Sequence, residues 1–95
     1  MDRAERNKKL VSLLCERGAK KIEIFGSVAR GEERATSDID ILVEFDGSPS
    51  LLDVVRIERE VSEEIGKKLD LVTKDSLGPY IRDKILKEAI LIYER

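Results

Sequence analysis

Apolar positions along the chain switch between helical and alternating spacing, and turn residues punctuate the switches. From Asp2 to about Arg17, Leu10, Val11, Leu13 and Leu14 fall on one side of a helix, with Gly18 placed to end it in a left-handed cap. Lys21–Phe25 alternates and reads as a strand with Ile22 and Ile24 facing the core. The strand stops at Gly26-Ser27. Ser27–Arg30 has room for one helical turn before Gly31, and Glu32–Ser37 is a polar loop. Asp38–Phe45 is a second strand, ended by the turn-forming Asp46-Gly47-Ser48-Pro49. Ser50 followed by Asp53 has the spacing of a capping box and opens a helix that runs to about Ile65, where Gly66 closes it. Leu51, Val54, Val55, Val61 and Ile65 form its expected buried stripe, with Ile57 at one edge. Lys68–Thr73 is a third strand, and Gly78-Pro79 opens a last helix on which Ile81, Ile85 and Ala89 share a face. Ile90–Tyr93 is a short closing strand or an extended tail. These elements predict one α/β domain over residues 1–95, a short mixed sheet with helices packed on one face.

Composition narrows the chemistry. At 95 residues, a chain of this size buries about 60–70 % of its extended surface, enough for one core. The sequence has no His, which excludes a serine-type triad, an imidazole base and any His-containing zinc site. A single Cys, Cys15, excludes an intrachain disulfide and a Cys metal cluster, and its place at the margin of the first helical stripe suits a core-edge residue. The 18 Lys+Arg against 20 Asp+Glu leave a net charge of −2, which argues against duplex nucleic acid as the main partner. Phe25, Phe45, Tyr80 and Tyr93 are too scattered for a base-stacking platform. No apolar run approaches the roughly 20 residues of a membrane span, and Met1 leads into a charged segment, so the expected location is the cytoplasm. The 40 % charged residues suit a hot-environment protein and a short helix-rich chain alike. Carboxylates, Lys, Tyr and hydroxyls remain for catalysis.

The candidate chemistry lies at strand ends. Strand side chains alternate, so Asp38 and Asp40 point to one face while Ile39, Ile41 and Val43 point to the other. Alone, such a pair reads as a solvated strand start. Asp70, however, lies mid-strand in the apolar run Leu69-Asp70-Leu71-Val72, where Asp is a poor strand former. Three carboxylates on one sheet face make an all-oxygen site suited to Mg²⁺ or Mn²⁺. Gly26-Ser27 at a strand-to-helix junction lets a phosphate approach the backbone, with N–H groups aimed at it. Together the two features describe a site for a triphosphate and metal ions.

The pattern Gly26-Ser27, then Asp38-Ile39-Asp40, then Asp70 resembles the nucleotidyltransferase superfamily typified by DNA polymerase β. More narrowly, Gly26–Gly31, Ser37–Val43, Lys68–Thr73 and Ile85–Glu94 are similar to the minimal nucleotidyltransferases, small prokaryotic proteins encoded beside a HEPN-domain protein. The resemblance implies the polymerase β-like fold and ATP as donor, its terminal phosphates on Gly26 and Ser27. It also implies two Mg²⁺ ions bridged by Asp38 and Asp40, with Asp70 completing the ion that binds the attacking hydroxyl. The implied partner is a HEPN-domain RNase toxin, neutralised by AMP attached to one of its tyrosines.

Three further residues are supporting candidates. Arg30 either steadies the triphosphate or holds the turn through an ion pair, and Glu58 is its candidate partner because it falls among the apolar positions of the third helical segment. Ser37 either orients Asp38 or is only a loop residue. Lys8-Lys9, Lys20-Lys21 and Lys67-Lys68 are expected to be solvated. Two functions from different classes stand: a Mg²⁺-dependent protein adenylyltransferase acting as antitoxin, and a non-catalytic module that neutralises the same partner by contact. Transfer to a small molecule such as an antibiotic is disfavoured because nothing after Asp70 is long enough for an acceptor domain.

Overall fold

The structure, a computed structural model, describes residues 2–95, so Met1 and the reading of the extreme N-terminus lie outside the described residues. Helix α1 (Arg3–Cys15) leads to β1 (Ala19–Phe25), the short α2 (Gly26–Ala29), β2 (Ile39–Phe45), α3 (Leu51–Ile65) and β3 (Leu69–Thr73). One 3₁₀ turn (Lys74–Ser76) precedes α4 (Pro79–Glu88) and β4 (Ile90–Glu94). The strands form one sheet in the order β3-β2-β1-β4. Strand β1 pairs antiparallel with both β2 and β4, whereas β2 and β3 run parallel, so the sheet is mixed as expected. The segment 90–93 is therefore a strand. It pairs Ile90 with Ile24 and Tyr93 with Ile22.

Local chemistry explains the helix ends. Asp2 caps α1 by accepting from the Glu5 N–H at 2.8 Å. Ser50 and Asp53 exchange both bonds of a capping box, and Gly66 closes α3 in the left-handed conformation. Pro79 stands in the first turn of α4, where its missing N–H costs nothing.

The core lies between α1, α3 and one sheet face. Leu10 and Leu14 from α1, and Val54, Ile57, Val61 and Ile65 from α3, pack on Ile22, Ile24, Ile39, Ile41 and Val43. The stripe of α3 differs from the sequence expectation. Leu51 is 78 % and Val55 52 % exposed, while Ile57, expected at the edge, is buried. At about 100° per residue, Ile57, Val61 and Ile65 cluster close to Val54, whereas Val55 is turned a full step away. Leu51 stands in the first turn of α3.

The opposite face is not bare. Leu42 shares it with Asp40, stays outside the main core cluster and is nevertheless 2 % exposed. Helix α4 rests against α2 and β1 without a buried residue of its own. It ends at Glu88, so Ala89 is its cap and only Ile81 and Ile85 of the expected face lie on the helix, with Ile81 exposed. Among the described residues, no helix is long and apolar enough to cross a membrane.

Candidate active site

Three chain segments meet beside the central strands. In the parallel pair, Asp40 of β2 and Asp70 of β3 are direct register partners. Neighbouring strands lie about 4.8 Å apart, so the two carboxylates stand side by side on one face. On the other flank Asp40 pairs with Phe25, the last residue of β1, which brings Gly26 against the Asp40 side chain. The backbone of Gly26 has φ +72°, and a Cβ built there would overlap the Asp40 carboxylate, with Cγ only 3.0 Å away. Glycine is required at this position twice over, by the left-handed backbone and by the carboxylate filling the space of a side chain.

Electrostatics mark Asp40 as the strained member. Its carboxyl lies above the ordinary carboxylate range because it is partly buried, and then because Asp70 and Asp38 add negative charge beside it. Arg30 opposes the shift. Asp38 stands one residue before β2, its side chain 44 % exposed and its Oδ2 3.9 Å from Lys68 Nζ. Among the described residues, no three acidic or thiol groups already close into a cation cage. The structure brings Asp40 and Asp70 together and leaves Asp38 at the flank. All the donors are carboxylate oxygens, a set that fits a hard divalent ion.

Asp70 is held from behind by residues whose part the sequence does not reveal. Its neighbours Leu69 and Leu71 direct their N–H groups off the open edge of β3. Leu69 N–H donates to Ser62 Oγ at 2.9 Å and Leu71 N–H donates to Glu58 Oε2 at 2.8 Å. The Ser62 hydroxyl in turn donates to the Glu58 carbonyl at 2.6 Å. Side chains of α3 thus satisfy an edge that would otherwise present unpaired donors.

This corrects the expected Arg30–Glu58 contact. Glu58 binds the β3 backbone, while Arg30 donates to Glu32 at 2.9 Å and to Glu88 at 3.3 Å. A charge within an apolar stripe correctly signalled that Glu58 needed a partner. That the partner is an edge-strand N–H depends on the docking of α3, which spacing alone does not show.

Ser37 takes the second of its two readings, and the expectations for Lys67 and Gly26 change. Ser37 Oγ accepts from the Arg34 N–H at 3.0 Å, so it shapes the loop before Asp38 and does not bond Asp38 itself. Lys67 is not solvated: it donates to Glu33, which also binds Arg6 in a two-pronged pair at 2.6 and 2.8 Å. The Glu33 carboxyl falls from 4.5 to about 2, chiefly through its hydrogen bond with Arg6 and then that with Lys67, against an opposing burial effect. This clamp ties the loop that delivers Asp38 to α1 and to the start of β3. Gly26 N–H, expected to be free for phosphate, donates to Glu88 Oε1 at 3.2 Å.

Known proteins share this sequence pattern and fold. A family profile described as a nucleotidyltransferase domain matches residues 7–92. A Methanocaldococcus jannaschii protein provisionally named a protein adenylyltransferase is 48 % identical over 86 residues, 90 % of this chain and 92 % of the relative. The protein adenylyltransferase MntA of Thermococcus cleftensis is 40 % identical over 75 residues, 79 % of this chain and 76 % of its own. A solved structure provisionally described as a minimal nucleotidyltransferase superposes with a TM-score of 0.79 at 39 % identity, covering 92 % of this chain and 89 % of the other. A toxin–antitoxin crystal structure with AMP-PNP gives 0.85 at 20 % identity, over 94 % and 73 % of the two chains. A complex of tri-AMPylated Shewanella oneidensis HEPN toxin with its MNT antitoxin gives 0.79 at 17 %, over 97 % and 72 %. These last two share the fold. With the family match covering residues 7–92 and a relative nearly half identical over nine-tenths of the sequence, this chain belongs to the nucleotidyltransferase family.

Proposed function

We propose that this protein is a metal-dependent protein adenylyltransferase that moves AMP from ATP to a tyrosine of a HEPN-domain toxin and thereby acts as its antitoxin. The observation that carries the reading is the in-register pair Asp40 and Asp70, with the Gly26 bend packed against Asp40 where no side chain fits. The named activity of the Thermococcus relative and the HEPN complex of the Shewanella neighbour support the acceptor. We place the pair of proteins in the cytoplasm.

In this reading Gly26 and Ser27 form the bend that receives the terminal phosphates of ATP. Asp38, Asp40 and Asp70 would hold Mg²⁺ ions, which when bound supply neutralising charge and lower the pKa of the attacking hydroxyl. The tyrosine oxygen forms a bond to the α-phosphorus as the bond to the bridging oxygen breaks and pyrophosphate leaves. Asp70, the more exposed of the in-register pair, accepts the phenolic proton on a carboxylate oxygen. Asp40, wedged between Asp70 and Gly26, keeps the carboxylates and the phosphate bend in fixed relation. Each transferred AMP leaves negative charge on the toxin, which weakens its hold on RNA.

The test is incubation of the purified chain with the HEPN protein encoded beside it, Mg²⁺ and α-labelled ATP. Label on a partner tyrosine together with lost RNase activity is the expected result. Neutralisation of the partner with no label transferred would refute transfer and leave a stoichiometric binding module.

A further inference from the structure

Glu88 is the final residue of α4, yet it reaches the phosphate bend 62 residues earlier in the chain. The route is readable from the sheet. Ile90 of β4 pairs with Ile24 in the antiparallel register, so stepping two residues outward on each strand sets Glu88 opposite Gly26. There Glu88 Oε1 accepts from the Gly26 N–H at 3.2 Å, and Arg30 Nη1 donates to Oε2 at 3.3 Å. A carboxylate in the last turn of a helix opposes the helix dipole, so its place needs a compensating donor or cation. Gly26 and Arg30 supply both.

We propose that Glu88 is a positioning residue for the reaction, acting through Gly26. Its carboxylate grips the N–H of the bend from one side while Asp40 fills the missing Cβ space on the other, so the left-handed Gly26 is clamped between two acidic side chains. Arg30, shared between Glu32 and Glu88, fixes the carboxylate and offsets part of its charge. The proposal rests on the reading of Gly26 and Ser27 as the phosphate-receiving bend. It assigns a part to the chain's C-terminal segment, which carries none of Asp38, Asp40 and Asp70.

The variants are Glu88→Ala, which removes the grip, and Glu88→Gln, which keeps an oxygen for the Gly26 N–H. Three measurements are made on each: the Kd of a non-hydrolysable ATP analogue with Mg²⁺ by calorimetry, the KM and kcat of AMP transfer, and Tm. The alanine variant is expected to raise Kd and KM about tenfold, the factor carried by one hydrogen bond to a charged group, with kcat within about twofold. The glutamine variant is expected to stay within about threefold of wild type, a rescue that a general loss of stability would not show. Should the alanine variant fail to fold, Glu88→Asp, which withdraws the carboxylate by one methylene, carries the same expectation. Unchanged or tighter analogue binding in the alanine variant overturns the proposal, and so does a glutamine variant no better than alanine. A wild-type chain that binds no analogue is a different result: it removes the nucleotide reading, and the proposal with it.

Discussion

The sharpest test of the site is Gly26→Ala. Two separate effects follow from one methyl group. The first is backbone strain: an L-residue at φ +72° costs about 1–2 kcal/mol relative to glycine. The second is displacement, because the new Cβ overlaps the Asp40 carboxylate and approaches Asp40 Cγ to 3.0 Å and Cβ to 3.3 Å. Restoring ordinary contact moves the nearest Asp40 oxygen away from Gly26 by roughly an ångström or more. Side-chain rotation makes this cheap in stability, but it moves Asp40 relative to Asp70. A misplacement of about 1 Å at a reacting centre costs about 100-fold in rate. The expected variant is therefore folded, with Tm lower by about 5–15 °C, and about 100-fold slower in label transfer at saturating ATP. Gly47→Ala separates the two effects, since Gly47 has φ +76° with nothing within 4 Å of a built Cβ. It should lose similar thermal stability and keep full transfer. Thermal melts by circular dichroism and transfer kinetics on both variants decide the matter. A Gly26→Ala enzyme with wild-type kcat would refute the placement of Asp40 at the reaction centre.

Other outcomes follow from the same geometry. Asp70→Asn should lower AMP transfer by at least about 100-fold while leaving Tm near wild type, because Asp70 is exposed; near-full transfer would remove its assignment. Glu58→Ala should cost about 1–3 kcal/mol in denaturant unfolding, since it strands the Leu71 N–H at the β3 edge, and should slow transfer through Asp70. Glu33→Gln should cost about 3 kcal/mol at neutral pH by leaving Arg6 and Lys67 without their shared carboxylate. Because the Glu33 carboxyl is held at about 2 when folded against 4.5, its stabilisation is complete above about pH 4.5 and fades as pH falls toward 2. Wild type should therefore lose at most about 3 kcal/mol through this group across that window, a slope the glutamine variant should lack in acid titrations.

Much of the molecule was legible from spacing. The first three strands, the capped helix α3 and the Pro79 start of α4 all follow from alternation, 3.6-residue periodicity and turn chemistry. These are local rules, and they act within a few residues. Gly26 was also identified, although its first reason turned out to be the Asp40 carboxylate that occupies its Cβ space. Leu51 and Val55 show where local patterning stops, because an apolar residue on a helix is buried only if some other element covers it.

What the sequence alone determined is the set of elements and the acids they carry, since each depends on neighbours along the chain. Partnerships over long separations were decided only by the tertiary structure. Asp40 meets Asp70 through a parallel register, Glu58 supports the edge beside Asp70, and Glu88 closes on Gly26 across 62 positions. Side-chain hydrogen bonds reach about 3 Å and require alignment, so small rotations of a helix or shifts of a strand choose among many polar partners that the sequence offers equally.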